Sequence, residues 1–505
     1  MFIWLVGLAA CTQQDAMPRP DVPSTPTTTL PPTDGPLPED CDVGVVDVTV
    51  EETPAFLQRR VTVTLDGQAP VWLACTPDDD PDEHVIAESE GPAEEHVLGV
   101  HGLYADTTWT CEAAPLCKGA VAKPFTIELG PAAGTLPDYS VTGTPSGVWT
   151  LFNVQELGAQ FVMVVDPLGR ARWVYNLGGT YLIDVDVSWT GEVMHMGGGW
   201  GLFDESASHR GFVQQVDRFG DTVLWRDTPD FGLGYNHHSE PLADGEILSL
   251  TTSRDTLADA EWYGVAVERW DPVTESVTWS WSSQQLVDAG IEGPYSGSPW
   301  HANALEMVTD SAGEGLWISL YAGQAIWRID RSSGERTHVF GADGTFTLVD
   351  PSGSPLPRAE WPFAQHDPDF VDNRVLVYDN GTGRPGGDSS RIAEYELDLD
   401  THEATLLWSW TEEGWYTPIV GDVDYLPSGN VLIAKGVFRF LTPFASDRSA
   451  IIELDPETSD VKWRLEFDGA WASIFRAHRY DGCDLFASAK HCPAVQARYL
   501  TLTGG

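Results

Sequence analysis

Basic residues are scarce in this sequence, and their scarcity limits the partners that the protein can bind. The 505 residues include 28 Lys and Arg against 76 Asp and Glu, which gives a formal net charge of −48. Such a surface repels phosphate backbones and anionic lipid headgroups, so we expect no binding to nucleic acid. It also repels small anions at long range, and the same composition is typical of salt-adapted proteins. With 42% hydrophobic residues and 21 Trp, the chain can still bury a large core.

A long apolar segment is also absent. The apolar run MFIWLVGLAA at the start of the chain is far too short to span a bilayer. It leads into Leu8-Ala-Ala-Cys11, which is similar to the bacterial lipoprotein cleavage box. We therefore expect a signal segment over 1–11, lipid attachment at Cys11 and a bacterial cell-envelope location, with no other membrane contact. An ordinary N-terminal segment is the alternative, because no Lys or Arg precedes the run. Residues 12–40 are rich in Pro and Thr, which predicts an extended tether.

Residues 41–140 have the pattern of a small β-sandwich. Strand-like runs separated by turn residues occur at Val45–Val50, Arg60–Leu65, Val71–Cys75, Glu95–Val100, Thr108–Ala113 and Pro124–Leu129. The stretch GLYADTTWT (102–110) resembles the G-L-x-x-x-T-x-Y stretch of fibronectin type III domains, with Trp109 in the aromatic place. This resemblance implies a fibronectin III-like domain. No cluster of histidines or carboxylates stands out in it, so we expect a spacer or docking role.

Cysteines are few, and their even number predicts disulfide bonds. Apart from Cys11 there are six, and an even set in an exported chain favours pairing. Cys483 and Cys492 are close enough in sequence to close one short loop in a C-terminal segment, 483–505. In a fibronectin-like sheet the runs that carry Cys75 and Cys111 would be neighbouring strands, which leaves Cys41 to pair with Cys117.

From about residue 145 the chain repeats. A strand-like run that ends in Asp, a turn, and a second run that usually ends in Trp occur six times. The aspartates lie 51, 54, 59, 68 and 57 residues apart, at Asp166, Asp217, Asp271, Asp330, Asp398 and Asp455. A further strand precedes copies two to six, so each unit holds three or four strands. The spacing predicts an all-β fold with a six-bladed β-propeller over 145–482.

Three histidines occur at equivalent points of this repeat. His237, His301 and His366 lie in NHHSEP (236–241), SPWHANALEM (298–307) and WPFAQHDPDF (361–370), ahead of the first strands of blades three, four and five. First strands line the channel of a propeller, so we expect the three side chains to converge on its axis. Asp184 and either Asp422 or Asp424 fall near the corresponding place in blades two and six. A structural histidine has no reason to recur in this way, which favours a functional cluster.

Several stretches of the repeat region, taken together, resemble one enzyme family over nearly all of 145–482. They are PWHAN (299–303), QHD (365–367), VYDNG (377–381), SRIAEYELD (390–398), LPSGNVLI (426–433) and FRAHR (475–479). The sequence is similar to the bacterial arylsulfotransferases, periplasmic enzymes that need no nucleotide sulfate donor. The resemblance implies a six-bladed propeller behind an N-terminal β-domain.

The resemblance also implies a ping-pong sulfuryl transfer without a cofactor or metal. His366 matches the histidine that takes the sulfuryl group from a small aryl sulfate and passes it to a phenolic acceptor. His237 and His301 match histidines that would stabilise the sulfuryl oxygens and move a proton. Asn303 would fix the orientation of an imidazole ring.

One position departs from the family. Arylsulfotransferases carry an arginine in the strand after the second histidine, whereas Tyr321 occupies that place here. Arginine clamps an anionic group with a permanent charge and two parallel N–H donors, and tyrosine offers one hydrogen bond and no charge. If the channel is that of a sulfotransferase, protonated His237 or His301 must replace the guanidinium, or the activity must be weak. We then expect a narrow optimum at mildly acidic pH.

Two non-catalytic functions stay open from the sequence. The chain fits a surface-anchored binding propeller whose histidine-lined channel holds a ligand or a metal such as Zn²⁺ or Cu²⁺, although nothing in the histidine spacing favours a metal. It also fits a surface scaffold in which packing between blades explains the tryptophans. Nucleotide binding is not expected, because the Gly-rich stretch at 196–200 lacks the context of a phosphate-binding loop.

Overall fold

The computed structural model describes most of the chain from residue 42 onward. The described ranges are 42–132, 136–144, 149–156, 159–178, 181–188, 193–199, 211–227, 235–257, 260–291, 301–437, 448–468, 471–486, 490 and 492–503. Cys11, the predicted tether and Cys41 lie outside these residues. Within them, no helix combines the length and the apolar character needed to cross a bilayer.

The N-terminal part consists of two antiparallel sheets. Its strands are β1 (Val45–Glu52), β2 (Arg59–Ala69), β3 (Val71–Pro77), β4 (Val85–Glu88), β5 (Ala93–Val100), β6 (Thr107–Pro115) and β7 (Lys123–Leu129). One sheet has the order β1-β2-β5 and the other β4-β3-β6-β7. Val61 and Val63 of the first sheet share a buried core with Leu73 and Trp109 of the second. All six predicted runs are strands, and the four-residue β4 is additional.

The rest of the described chain is also built of β-strands, with three short helices. The strands are β8 (Tyr139–Gly143), β9 (Trp149–Glu156), β10 (Ala159–Val165), β11 (Ala171–Gly178), β12 (Tyr181–Val187), β13 (Val193–Gly199), β14 (Gly211–Asp217), β15 (Thr222–Asp227), β16 (Tyr235–Pro241), β17 (Ile247–Leu257), β18 (Ala260–Asp271), β19 (Ser276–Ser282), β20 (Ala302–Asp310), β21 (Gly313–Leu320), β22 (Ala325–Asp330), β23 (Arg336–Phe340), β24 (Thr347–Val349), β25 (His366–Val371), β26 (Arg374–Asp379), β27 (Arg391–Asp398), β28 (Glu403–Trp410), β29 (Asp422–Tyr425), β30 (Val431–Lys435), β31 (Ala450–Asp455), β32 (Asp460–Phe467) and β33 (Ser473–Tyr480). The helices are α1 (Gln284–Asp288), α2 (Gly482–Leu485) and α3 (Pro493–Thr503), and a 3-10 turn covers Arg358–Glu360.

In the described residues these strands form six small sheets that follow one another along the chain. Four sheets have the orders β11-β10-β9-β33, β12-β13-β14-β15, β16-β17-β18-β19 and β20-β21-β22-β23. The other two have the orders β24-β28-β27-β26-β25 and β29-β30-β31-β32-β8. Pairing is antiparallel apart from the short β24–β28 ladder. The fold is therefore all-β and propeller-like.

One edge strand of each sheet, called its first strand, contacts the first strands of the neighbouring sheets, and together they form a closed cycle. In the first sheet this edge strand is β33. Contacts run from β12 to β16, β20, β25, β29 and β33, and β33 returns to β12. Because β33 comes from the end of the region and pairs with β9 from its beginning, the two ends of the region meet in one sheet. This places the first strands around a common centre.

Acidic side chains connect neighbouring first strands; three of them are buried, and Glu306 is partly buried. Each accepts a hydrogen bond from a backbone N–H of the adjacent strand: Asp184 from Ser239 at 2.6 Å, Glu306 from Phe370 at 3.0 Å, Asp367 from Val423 at 2.7 Å, and Asp422 from Ala477 at 2.8 Å. These bonds satisfy backbone donors that lie away from water. Some of the many acidic residues therefore hold neighbouring sheets together.

The N-terminal part docks on the first sheet of the repeat region through a buried charge network. Arg172 of β11 is fully buried and bonds Glu83 at 2.7 Å, Asp166 at 2.8 Å and the carbonyl of Gly102 at 2.8 Å. At the other end of the chain, Arg498 of α3 pairs with Glu88 at 2.6 Å. Buried arginines with several carboxylate partners hold surfaces together in a fixed geometry. The two parts are therefore joined firmly.

Disulfide bonds occur in both terminal parts. Cys75 and Cys111 are directly opposite each other on β3 and β6 and are bonded, with their Cα atoms 4.0 Å apart. Cys483 and Cys492 are also bonded. Cys117 is disulfide-bonded as well, and Cys41, its predicted partner, lies outside the described residues.

Candidate active site

The three histidines lie at irregular points of three first strands. His237 is in β16, His301 comes directly before β20, and His366 is the first residue of β25. The pairing register of each strand shifts at this point, between Tyr235 and Ser239, between Ala302 and Ala304, and between His366 and Pro368. Such bulges turn the strand locally and re-aim side chains. The repeated irregularity explains why histidines at these positions can face one another.

The backbone near the histidines is strained. His237 and His301 have φ angles of 72° and 44°, in the left-handed region that residues other than glycine seldom adopt. Asp367, next to His366, has a φ of 44°. Each such residue costs on the order of 1–3 kcal/mol and persists only where the surroundings impose it. Backbone strain of this kind concentrates at functional sites, which supports a role beyond packing.

The structure brings the predicted site residues into one chain of ring contacts. The ring centroids of His237 and His301 are 4.9 Å apart, those of His301 and Tyr321 5.5 Å, and those of Tyr321 and His366 5.3 Å. His237 and His366 are buried, whereas His301 and Tyr321 are partly exposed. The group is therefore largely removed from water, and its partly exposed side is formed by His301 and Tyr321.

Tyr321 lies beside His301 and His366, but its hydroxyl is directed away from the imidazoles. Its backbone N–H donates to the carbonyl of His301 at 2.9 Å, which fixes it beside that residue. Its hydroxyl donates to the carbonyl of Pro418 at 3.0 Å. The one proton that could replace an arginine N–H is therefore engaged with the backbone.

Two of the histidines are poor proton acceptors. Burial lowers the pKa of His237 well below its ordinary value, and the neighbouring His301 and His366 lower it further. Removal from water also lowers the pKa of His301 to about 4. Both are therefore neutral at mildly acidic pH in the substrate-free protein. This burial opposes the predicted replacement of the guanidinium by protonated His237 or His301, which stays a prediction for the substrate complex.

Asn380 defines the protonation of His366 and was not among the predicted site residues. Its amide nitrogen donates to the carbonyls of Thr417 and Val420, both at 2.8 Å. Its Oδ1 therefore faces His366 Nδ1, at 2.6 Å, and must accept a hydrogen bond from it. His366 then carries its proton on Nδ1 and its lone pair on Nε2. The only signal in the sequence is that Asn380 lies in VYDNG, one of the stretches that carry the family resemblance.

Asn303 supports the site differently from the prediction. Its amide nitrogen donates to the backbone carbonyl of Gln365 at 2.7 Å and not to an imidazole. Gln365 in turn donates to the carbonyls of Leu320 and Ala325, at 3.2 and 2.9 Å. Both residues are buried. Asn303 therefore fixes the backbone just before His366, and with it the position of the histidine.

Asp184 and Asp424, the aspartates expected near the histidines, are paired with residues of β33. Arg476 lies 3.0 Å from Asp184, and His478 Nδ1 lies 3.0 Å from Asp424. All four side chains are buried. These four residues form a second polar cluster, and their pairing partners are not those of the group of His237, His301, Tyr321 and His366.

Comparison with known proteins identifies one family. The family described as arylsulfotransferase (ASST) matches residues 139–476. No curated protein matches the sequence. Among solved structures, the periplasmic gluconolactonase of Pseudomonas aeruginosa is 14% identical, with 66% of this chain and 99% of that chain covered and a TM-score of 0.35. The hydrazine synthase of Kuenenia stuttgartiensis is 11% identical, with coverage of 74% and 93% and a TM-score of 0.34. Similarity at this level carries no information about activity.

Proposed function

The chain belongs to the arylsulfotransferase family, and we propose that it transfers a sulfuryl group from an aryl sulfate to a phenol through a sulfo-histidine at His366. In the first step Nε2 attacks sulfur, the bond from sulfur to the aryl oxygen breaks, and the phenolate leaves. In the second step the oxygen of the acceptor phenol attacks sulfur, the N–S bond breaks, and the phenol proton passes to a base. No nucleotide, metal or redox partner enters either step.

The observation that carries this proposal is the hydrogen bond between His366 and Asn380. A nucleophilic imidazole needs its lone pair on the nitrogen that meets the substrate, and the 2.6 Å contact to Asn380 Oδ1 assigns the proton to the other nitrogen. After attack, the positive charge of the sulfo-imidazolium is shared with Nδ1, which the same oxygen stabilises. Neutral His237 and His301 can each donate one N–H to the sulfuryl oxygens, and the negative charge of the bound sulfuryl group raises their affinity for the phenol proton.

The direct test is to react the protein with 4-nitrophenyl sulfate in the absence of an acceptor. We expect one equivalent of nitrophenol in a burst, and peptide mass mapping should find one sulfuryl group on His366. Addition of a phenol should remove that group and restore turnover. A burst with the label on another residue, or steady release without any labelled enzyme, would contradict the proposed intermediate.

Replacing Asn380 with alanine should slow the transfer without preventing folding. The change removes the acceptor for His366 Nδ1–H, so both tautomers become populated and the ring loses its fixed orientation. By analogy with residues that orient metal-bound histidines, we expect a loss of roughly 10- to 100-fold in kcat. The matched control is Asn373→Ala, because Asn373 is exposed in the turn between β25 and β26 of the same sheet.

Nitrogen NMR of His366 would separate orientation from stability in the Asn380→Ala variant. Wild type should show one tautomer protonated on Nδ1, and the variant should show a mixture at the same pH. An unchanged tautomer with an unchanged kcat would mean that the hydrogen bond to Asn380 has no part in the reaction.

A non-catalytic binding propeller is the second candidate, and the environment of Tyr321 favours it. The tyrosine hydroxyl is bonded to Pro418, and His237 and His301 are neutral at ordinary pH. Among the described residues, the group of His237, His301, Tyr321 and His366 has no positive charge, which suits a neutral aromatic ligand better than a sulfate ester. We rank this function second because it leaves the tautomer of His366 unexplained.

We also propose the setting in which this chemistry takes place. The six sheets are taken as six blades, the N-terminal part as a fibronectin III-like domain, and Cys11 as a lipid attachment site at the bacterial cell envelope. Incorporation of a labelled fatty acid that is unaffected by Cys11→Ala would exclude attachment at that residue.

A further inference from the structure

A groove runs along the edge of the fourth sheet that also carries Tyr321. This edge holds the end of β21, the beginning of β22 and the end of β23, and Tyr321 lies in the turn between β21 and β22. The lining of the groove extends from Leu320 of β21 through Trp327 of β22 and Val339 of β23 to Arg358. Its volume is about 530 Å³, which lies within the range of small-molecule sites.

The inner end of the groove adjoins the histidines. Leu320 and Ala322, the two neighbours of Tyr321 in sequence, both line the groove. The ring centroid of Tyr321 is 5.3 Å from that of His366. Gln365, the residue before His366, donates to the carbonyl of Leu320 at 3.2 Å. Tyr321 is partly exposed and Ala322 is exposed, so the boundary between the histidines and the groove lies at the protein surface.

The outer end of the groove lies beyond the reach of a single aromatic ring. Two strand spacings of about 4.8 Å separate β21 from β23, so Arg336 of β23 lies on the order of 10 Å from the strand that ends at Tyr321. Arg358 comes from the segment that follows β24. One phenyl ring beside Tyr321 does not span this distance, whereas two linked rings do.

The outer end of the groove carries positive charge. Arg336 lies over the indole ring of Trp327, with 4.7 Å between its Cζ atom and the ring centroid. Arg358 is exposed, and its Nη1 donates to Asp343 Oδ1 at 2.6 Å. The charged residues that line the groove are these two arginines and Asp343, so their formal charges sum to +1. The groove therefore differs in sign from a chain whose net charge is −48.

We propose that the groove binds the far end of an elongated, anionic aryl sulfate, an inference that rests on the proposed transfer at His366. The first ring of this donor lies beside Tyr321, and the second ring lies along the groove over Trp327. An anionic group on the second ring, such as a carboxylate, meets Arg336 and Arg358. These contacts are the same before and during transfer, so they lower KM and leave kcat unchanged.

The test compares two donors that differ in one charge, 4′-carboxybiphenyl-4-yl sulfate and its methyl ester. We expect the carboxylate to have a KM roughly tenfold below that of the ester, at a similar kcat. The difference should shrink as salt is added. Long-range repulsion by the acidic surface acts in the opposite direction and cannot produce this preference. A KM for the carboxylate that equals or exceeds that of the ester would overturn the proposal.

Variants of the two arginines locate the contact. In Arg336→Gln and in Arg358→Gln the ratio of the two KM values should fall toward one, and the ester measured in the same variant corrects for any loss of folded protein. The matched control is Arg331→Gln. Arg331, in the turn between β22 and β23 of the same sheet, pairs with Glu314 at 3.0 Å and is not part of the groove lining. An equal fall of the ratio in the control would assign the preference to the general field of the protein and reject the groove.

Calorimetry with 4′-carboxybiphenyl-4-sulfonate separates this inference from the proposed function, because a sulfonate has no ester bond to break. If wild type turns over no aryl sulfate but binds this compound more tightly than the arginine variants do, the transfer proposal fails and the groove is supported. If wild type turns over 4-nitrophenyl sulfate while neither KM nor Kd responds to the distal carboxylate, the groove is rejected and the transfer proposal stands.

Discussion

Replacing His366 with alanine is expected to reduce transfer from 4-nitrophenyl sulfate to a phenol by at least roughly 1000-fold, because the nucleophile of the covalent pathway is lost. The variant should remain folded. Its cost is one buried ring and one hydrogen bond to Asn380, on the order of 1–3 kcal/mol. Initial rates of nitrophenol release, with circular dichroism as a check of folding, give the measurement.

The matched control for this variant is His338→Ala. His338 of β23 is also buried, and its ring bonds the carbonyl of Leu399 at 3.0 Å. It lies on the outer strand of the fourth sheet, whereas His366 is in the fifth. It should lose stability but keep its turnover. If His366→Ala retains the wild-type rate, the sulfo-histidine pathway is excluded. If wild type itself turns over no aryl sulfate while calorimetry shows a ligand that binds through His366, the binding propeller becomes the better description.

The repeated sheets could be predicted because their signal is local. In each copy an aspartate closes the turn between two strands, as when Asp217 Oδ1 accepts the N–H groups of Phe219 and Asp221 at 2.9 Å. The convergence of His237, His301 and His366 followed from one further step, since equivalent positions of a cyclic repeat face the same centre. Short strands such as β4 and β24 carry too few residues for an alternating pattern.

The parts of the site that could not be predicted depend on contacts between distant residues. Asn380 holds His366 only because its own amide reaches the carbonyls of Thr417 and Val420, about forty positions away. Asn303 bonds the backbone of Gln365 across neighbouring sheets. The low pKa of His237 and His301 arises from burial, which depends on how closely the first strands pack. None of these contacts produces a spacing of residues that could be recognised in the sequence.

Introducing the family arginine, Tyr321→Arg, is expected to raise kcat/KM for an aryl sulfate by roughly 100- to 1000-fold, the usual effect of one charge-stabilising donor in a dry site. The ring of Tyr321 lies between His301 and His366, so a guanidinium in its place would meet the sulfuryl oxygens. One N–H could still bond the Pro418 carbonyl that now accepts from the tyrosine hydroxyl. Tyr321→Phe is the control. Because the hydroxyl is engaged with the backbone, its removal should change turnover little.

The pH dependence of aryl sulfate binding tests whether the positive charge of the arginine is the reason for the higher kcat/KM of Tyr321→Arg. In the free protein the pKa of His301 is about 4, and a bound anion must raise it, since a negative charge favours the imidazolium. Binding therefore takes up a proton at every pH between about 4 and the higher pKa of the complex, and KM for the sulfate ester rises with pH across that window. A guanidinium supplies the charge permanently, so KM of the Tyr321→Arg variant should depend much less on pH.

If the variant gains activity while its KM keeps the wild-type dependence on pH, the arginine acts through shape or position. If it gains nothing and wild type is inactive, the tyrosine marks a site that no longer transfers sulfuryl groups.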